Sequence, residues 1–213
     1  MKVYFPKTPR FIMRFFSKYT WRFSMDKKEI FLTFDDGPTP EITQFVLSEL
    51  KKYNAKATFF CIGKNIKNHP EIFNKIIADG HSIGNHTQNH LKGWKTKKEY
   101  YLENISDCQK TITQFSNSTI QQKLFRPPYG KIKSSQAKKI LKNDYKIIMW
   151  DVLSADFDTS ISKEKCLQNV LKNTKNGSVI VFHDSVKAAK KMQYALPKVL
   201  KEFSEKGFVF KKI

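Results

Sequence analysis

Two adjacent carboxylates, two histidines four residues apart, an arginine ahead of Pro-Pro-Tyr and one later histidine have types and spacing suited to chemistry. Asp35 and Asp36 end the run Ile30-Phe31-Leu32-Thr33-Phe34 and precede Gly37-Pro38. Neighbouring side chains on an extended chain face opposite ways, so both carboxylates can serve one site only if the backbone bends there. Gly-Pro is turn chemistry. His86 and His90 bracket Thr87-Gln88-Asn89. On a helical turn this spacing puts both rings on one face, where they can grip one cation. Such pairs also occur without metal, and a third ligand is needed. Either Asp35 or Asp36 can complete a His-His-carboxylate set with an open position, the pattern of a catalytic divalent metal and most often zinc.

Strand and helix patterns alternate along the chain that must position these groups. Strands are expected at 29–34, 56–62, 81–84, 124–126, 145–150, 178–182 and 208–211. Helices are expected at 41–53, 71–79, about 96–115, 134–143, 162–175 and 187–206, with residues 116–122 as a polar loop. Each reactive cluster follows a strand: Asp35 and Asp36 the first, His86 and His90 the third, Arg126 the fourth. Asp151 and Asp156 follow the fifth, and His183 and Asp184 the sixth. Alternation implies a parallel α/β sheet, open or closed. Contributions from so many strand ends favour a barrel, because open sheets usually recruit fewer.

The 213 residues suit one domain, residues 29–213, preceded by a basic, aromatic N-terminal arm, residues 1–28. Apolar content of 40% with 18 Phe argues for an aromatic-rich core and against disorder. The net charge of +20 suits anionic surroundings, yet most of the excess is Lys spread along helices, which reads as a solvated surface. Cys61, Cys108 and Cys166 form no C-x-x-C pair, and an odd count argues against a disulfide framework. No stretch reaches the roughly 18 apolar residues of a membrane span. Arg14 interrupts the apolar N-terminal run, so no cleavable signal is recognised and a cytoplasmic or peripheral-membrane location is expected. The arm either packs over the domain or lies on an anionic membrane surface.

Taken together, these pieces resemble the polysaccharide deacetylase family, the NodB-homology domains of carbohydrate esterase family four, over about residues 29–212. The motifs are Thr33-Phe34-Asp35-Asp36-Gly37-Pro38, His86-Thr87-Gln88-Asn89-His90, Arg126-Pro127-Pro128-Tyr129-Gly130, Asp151 to Asp156, and Val181-Phe182-His183. The resemblance implies a distorted (β/α) barrel of about seven strands and metal-dependent removal of N- or O-acetyl groups from sugars, with Asp36, His86 and His90 on zinc, cobalt or nickel. It also implies Asp35 as general base, oriented by Arg126, and His183 as general acid, paired with Asp156. The backbone N–H of Tyr129, next to Pro128, would help to hold the oxyanion. Two departures stand out. Phe157 replaces the usual Trp and keeps an apolar wall without an indole N–H, and Val181 replaces Leu where the acetyl methyl would sit. No role follows for His69, His81 or Asp184.

The expected activity is deacetylation of N-acetylglucosamine units in peptidoglycan or a chitin-like oligosaccharide. A lipid-linked amino sugar carrying formyl or acetyl is a second substrate class, motivated by the arm. The alternative from another class, a basic protein that only binds nucleic acid or an acidic glycan, leaves an intact acid, base and metal set without a use. An N-acetylated glycan partner and no nucleic acid are therefore expected.

Overall fold

The computed structural model describes residues 4–116 and 122–213, so the expected loop at 116–122 lies almost wholly outside the described residues. A short helix in the arm, α1 (Arg10–Phe15), precedes β1 (Glu29–Asp35), α2 (Ile42–Lys52) and β2 (Ala57–Cys61). Then come α3 (Gly63–Asn68), α4 (Pro70–Ala78), β3 (Ser82–Asn85), α5 (Lys98–Phe115) and β4 (Leu124–Phe125). The remainder is α6 (Ser134–Lys142), β5 (Lys146–Ile147), β6 (Val152–Leu153), α7 (Lys163–Leu171), β7 (Val179–His183), α8 (Ala189–Glu205) and β8 (Val209–Phe210). The strands run in the order β5-β4-β3-β2-β1-β7-β6, all parallel, with β8 beside the start of β1. This is the curled, incomplete (β/α) barrel expected.

β1 and β7 are buried along nearly their whole length, as parallel strands covered on both faces must be. On the helix-facing side, Phe59, Phe34 and Phe182 stack across β2, β1 and β7, with centroids 5.1 and 6.1 Å apart. The same register that pairs these rings pairs the next residues, Asp35 with Phe60 and with His183. The aromatic ladder therefore levels the strand ends that carry the chemistry, and alternation turns those ends to the barrel interior.

Three elements, α1, α3 and β6, escaped sequence reading, the first because six residues are too few to show a period. α3 has few apolar residues to set a period, and only Gly63 and Ile66 are buried. The fifth expected strand shrinks to Lys146–Ile147 because the next carbonyls, of Ile148 and Met149, accept hydrogen bonds from Arg126 instead of extending a ladder. The chain then re-enters the sheet as β6.

β5 and β6 do not pair with each other, and the N-terminal arm spans the seam between them. Leu153 N–H bonds Pro6 O at 2.9 Å, and Thr8 N–H bonds Asp151 O at 2.9 Å. Further on, Thr20 N–H bonds Ile147 O at 2.9 Å, and Met149 N–H bonds Thr20 O at 2.7 Å. Lys7 adds an ion pair of 2.7 Å with the fully buried Asp151. Open edges of a sheet invite unwanted pairing, and here the arm occupies them.

Candidate active site

The bend that brings both carboxylates to one site lies at Asp36 itself, whose φ of 85° is in the left-handed region. That conformation costs a non-glycine residue roughly 1–2 kcal/mol, and the surroundings hold it in place. Asp36 N–H bonds Phe60 O at 3.3 Å, Asn65 Nδ2 donates to Asp36 O at 2.7 Å, and Asp184 N–H donates to Asp35 O at 3.1 Å. The buried Asp184 carboxylate accepts from Gly37 N–H at 3.0 Å and Thr43 Oγ1 at 2.5 Å. A Cβ on Gly37 would lie 2.0 Å from Asp184 Oδ2, so the glycine is required by close approach. Asp184, which had no role in the sequence, is thus the brace of the turn. Burial first, and then the charge of Asp36, raise its pKa to about 7 against the Thr43 and Gly37 hydrogen bonds.

Asp36 Oδ1 lies 3.7 Å from His86 Nε2 and 3.3 Å from His90 Nε2. The two histidines do not sit on a helical turn as the spacing suggested. Thr87 and His90 have φ of 66° and 53°, and this left-handed loop brings the ring centroids to 5.2 Å. His86 Nδ1 lies 2.8 Å from Arg126 O. A carbonyl only accepts, so Nδ1 carries the proton and Nε2 presents a lone pair toward Asp36. Burial foremost, helped by the neighbouring His90, pushes the His86 pKa down to about 3, and burial lowers that of His90. Both rings are therefore neutral lone-pair donors at neutral pH.

Asp36 Oδ1 is buried and has no hydrogen-bond partner among the described residues, which is rare for a carboxylate oxygen. One ligand atom from each of Asp36, His86 and His90 falls within 4.8 Å of the others. An orphaned carboxylate oxygen facing two neutral imidazoles fits a divalent cation with room for further ligands.

Asp35 is 3% exposed and receives Arg126 Nη1 on Oδ1 at 2.7 Å. The guanidinium, fully buried, also donates to Thr33 Oγ1, Ile148 O and Met149 O at 2.7, 3.0 and 2.9 Å, and rests 4.1 Å from the Phe60 ring centre. Burial lowers its pKa, against the pull of Asp35. A planar cation clamped at this many points fixes Asp35 in one rotamer. Asp35 lines the cavity, and Arg126 takes its Oδ1, with no hydrogen bond to Oδ2 among the described residues.

Across the cavity, His183 Nδ1 lies 2.7 Å from Asp156 Oδ1, and its own backbone N–H donates to Asp156 Oδ2 at 2.7 Å. Burial alone would lower the His183 pKa. The Asp156 charge and hydrogen bond, with Asp36 and Asp35 adding, raise it to about 10. With Nδ1 donating to Asp156, Nε2–H is the free proton of an imidazolium. A dication on Asp36 would cancel that carboxylate's share and bring the acid nearer to transfer range. Phe157 packs edge-on against His183 at 5.1 Å and 75°.

These groups surround a cavity of about 500 Å³. Asp35, Asp36, His86, His90, Tyr129, Phe157 and His183 line it, and so do Tyr4, Trp150, Leu153 and Lys187, which sequence reasoning did not select. Arg126 and Asp156 are fully buried and act through the residues they hold. Val181 and Pro128 do not line the cavity. Val181 shares the face of His183 and pairs with Thr33 on one side and Leu153 on the other, and of that row it is Leu153 that lines the cavity. Pro128 is buried, and Tyr129, with φ of 61°, brings its half-exposed ring against His90 at 4.7 Å. Asp151 belongs to the seam: it binds Lys7, Ser178 Oγ and Val179 N–H. His81 is buried and accepts from Ala57 N–H, while His69 stands at the entrance to α4. A larger hollow of about 760 Å³ between α5 and α6 is lined by Gln109, Thr113, Lys142 and Tyr145 among others and has no imidazole.

Comparison with known proteins finds relatives over most of the chain. A family model described as polysaccharide deacetylase matches residues 23–148. A peptidoglycan-N-acetylglucosamine deacetylase of Bacillus cereus is 33% identical over 192 residues, covering 90% of this chain and 89% of its own. A chitooligosaccharide deacetylase of Azorhizobium caulinodans is 32% identical over 163 residues, covering 76% of this chain and 77% of its own. A solved peptidoglycan N-acetylglucosamine deacetylase, in complex with 4-naphthalen-1-yl-N-oxidanyl-benzamide, superposes with a TM-score of 0.87 at 32% identity. The match covers 97% of this chain and 95% of that one.

Proposed function

This chain belongs to the polysaccharide deacetylase family, and we propose that it hydrolyses the N-acetyl group of N-acetylglucosamine units in peptidoglycan or a chitin-like oligosaccharide, releasing acetate. The observation that carries this reading is the buried, unpartnered Asp36 Oδ1 between two neutral imidazoles, in one cavity with Asp35 and a protonated His183. Asp36, His86 and His90 would hold a divalent cation, zinc before cobalt or nickel. When bound, such a cation lowers the pKa of water and polarises a carbonyl.

The chain's own residues account for the proton movements. Asp35 Oδ2 takes the proton of the attacking water, while Arg126 keeps Oδ1 occupied and the carboxylate in place. The backbone N–H of Tyr129 serves as a donor to the oxyanion. His183 Nε2–H then protonates the departing amine, which cannot leave as an anion at neutral pH. Asp156 holds the imidazolium in the tautomer that can do this. Tyr4, Trp150 and Leu153 wall the cavity against bulk water.

The test is acetate release from N-acetylchitooligosaccharides and from peptidoglycan fragments, with Asp35→Asn as control. Turnover on either substrate that Asp35→Asn lowers by at least about 10²-fold supports the reading. Turnover undiminished by the substitution refutes it. A lipid-linked amino sugar remains the second reading, because the arm with its exposed aromatic residues also supplies Tyr4 to the cavity.

A further inference from the structure

We propose that the outer face of α1 docks on an anionic phospholipid bilayer. The helix has two apolar faces, and the fold uses one. Ile12 and Met13 pack inward against the cluster of Ile140, Tyr145, Ile147 and Met149. Phe11 and Phe15, four residues apart and so one above the other, are 71% and 80% exposed. Arg10 and Arg14 repeat that spacing one position earlier, and Lys18 follows in the turn beyond. An aromatic row thus lies beside a basic row. Phe5 and Phe16, 49% and 38% exposed, extend the apolar surface of the arm.

The arrangement is not free to rearrange and hide these rings. Backbone hydrogen bonds of Pro6 and Thr8 on one side of the helix, and of Thr20 on the other, fix the segment into the seam between β5 and β6. The charge is one-sided as well. Residues 4–23 contain Lys7, Arg10, Arg14, Lys18 and Arg22 and no acidic residue. Lys7 is held by Asp151, and Arg22 donates to Asn176 O. Arg10, Arg14 and Lys18 are exposed, with no carboxylate partner among the described residues.

A polyanion without free stacking faces, such as duplex nucleic acid or an acidic glycan, would use the cations and leave Phe11 and Phe15 in water. A bilayer surface satisfies both, with the rings at the headgroup boundary and the cations on anionic headgroups. No described helix is long and apolar enough to cross a membrane, so the contact is one of lying on the surface. Because Tyr4 of the same segment lines the cavity, docking would hold the cavity at a fixed position relative to the bilayer. The inference rests on the arm and not on the reaction.

The experiment is co-sedimentation of the full chain with vesicles of phosphatidylcholine, with and without phosphatidylglycerol. Partitioning onto the anionic vesicles is expected to exceed that onto neutral ones by at least about tenfold. Phe11→Ser/Phe15→Ser and Arg10→Gln/Arg14→Gln/Lys18→Gln should each reduce it by at least about tenfold, with deacetylation of a soluble oligosaccharide unchanged. A Phe15→Trp variant should gain indole fluorescence that brominated acyl chains quench. Binding by the double Phe variant equal to the parent would overturn the proposal, leaving only adhesion of a highly basic protein. So would a self-associating parent whose dimer disappears in that variant, which would identify a second copy as the occupant.

Discussion

His86 and His183 line one cavity and are driven to opposite protonation states. Burial works against the proton in both. His86 meets a backbone carbonyl through Nδ1 and ends at about 3, whereas His183 meets the Asp156 carboxylate and ends at about 10. The partner on Nδ1 decides which ring offers a lone pair and which offers a proton. The two corners differ in the same sense in their hydrogen bonding. Both Asp156 oxygens are satisfied by His183, while Asp36 Oδ1 is left without a partner. One corner is complete in the protein alone, and the other is built for something more.

The largest effects should come from erasing that contrast at either end. His86→Ala is expected to lose both bound metal and turnover, whereas Asp35→Asn should lose about 10²–10⁴-fold in kcat and keep its metal. Metal analysis beside steady-state kinetics separates the two. If both variants retained metal equally, the assignment of the lone-pair corner would fail.

Asp156→Asn should make His183 more like His86. The acid must be protonated, so activity falls as pH rises through its pKa, and without the Asp156 charge that fall should move to lower pH. A pH profile of kcat with an unmoved alkaline limb would contradict this. The same pair carries a stability signature. A histidine whose folded pKa is raised contributes stability that is full below about 6.5 and lost as pH rises through about 10. The difference in Tm between the parent and Asp156→Asn should therefore be widest in mild acid and close toward pH 10.

Much of this contrast was legible in the residues. Paired aspartates before Gly-Pro, the two histidines, and Arg126 and His183 at strand ends pointed to the site, and each of those side chains reaches the cavity or holds one that does. The strand alternation pointed to a parallel α/β sheet, and the clusters at its strand ends to the barrel. Long-range packing was not legible. Gly37 looked like turn chemistry, and its need for space appears only when Asp184 from the end of β7 is set beside it. The i, i+4 histidines suggested a helix because periodicity carries no record of left-handed residues such as Thr87 and His90. Val181 was placed on the right face, but its register partner Leu153 lines the cavity instead, in a strand too short for any period to show. Where the arm packs over the domain was not legible, because its partners, the edges of β5 and β6, are more than a hundred residues away.

A smaller effect should follow from disturbing the brace of the unsatisfied corner. Gly37→Ala forces a Cβ onto the Asp184 carboxylate and should destabilise the protein by about 1–3 kcal/mol. Denaturant unfolding of Gly37→Ala with and without Asp184→Ala checks it. Strictly additive losses would show that the two side chains do not meet. The smallest effect is expected at Phe157→Trp, where an edge-on ring is exchanged beside His183 and at most one neutral hydrogen bond is added. kcat/KM should change by less than about tenfold, and a larger change would make the indole part of the acid corner's chemistry.

The central claim is that Asp36, His86 and His90 form a metal centre while His183 does not take part in it. The most direct test is titration of the metal-free protein with Co²⁺, following its visible ligand-field absorption in the parent, in His86→Ala and in His183→Ala. Saturation at one equivalent in the parent and in His183→Ala, with no such signal in His86→Ala, is the predicted result. An unchanged spectrum and stoichiometry in His86→Ala would contradict it.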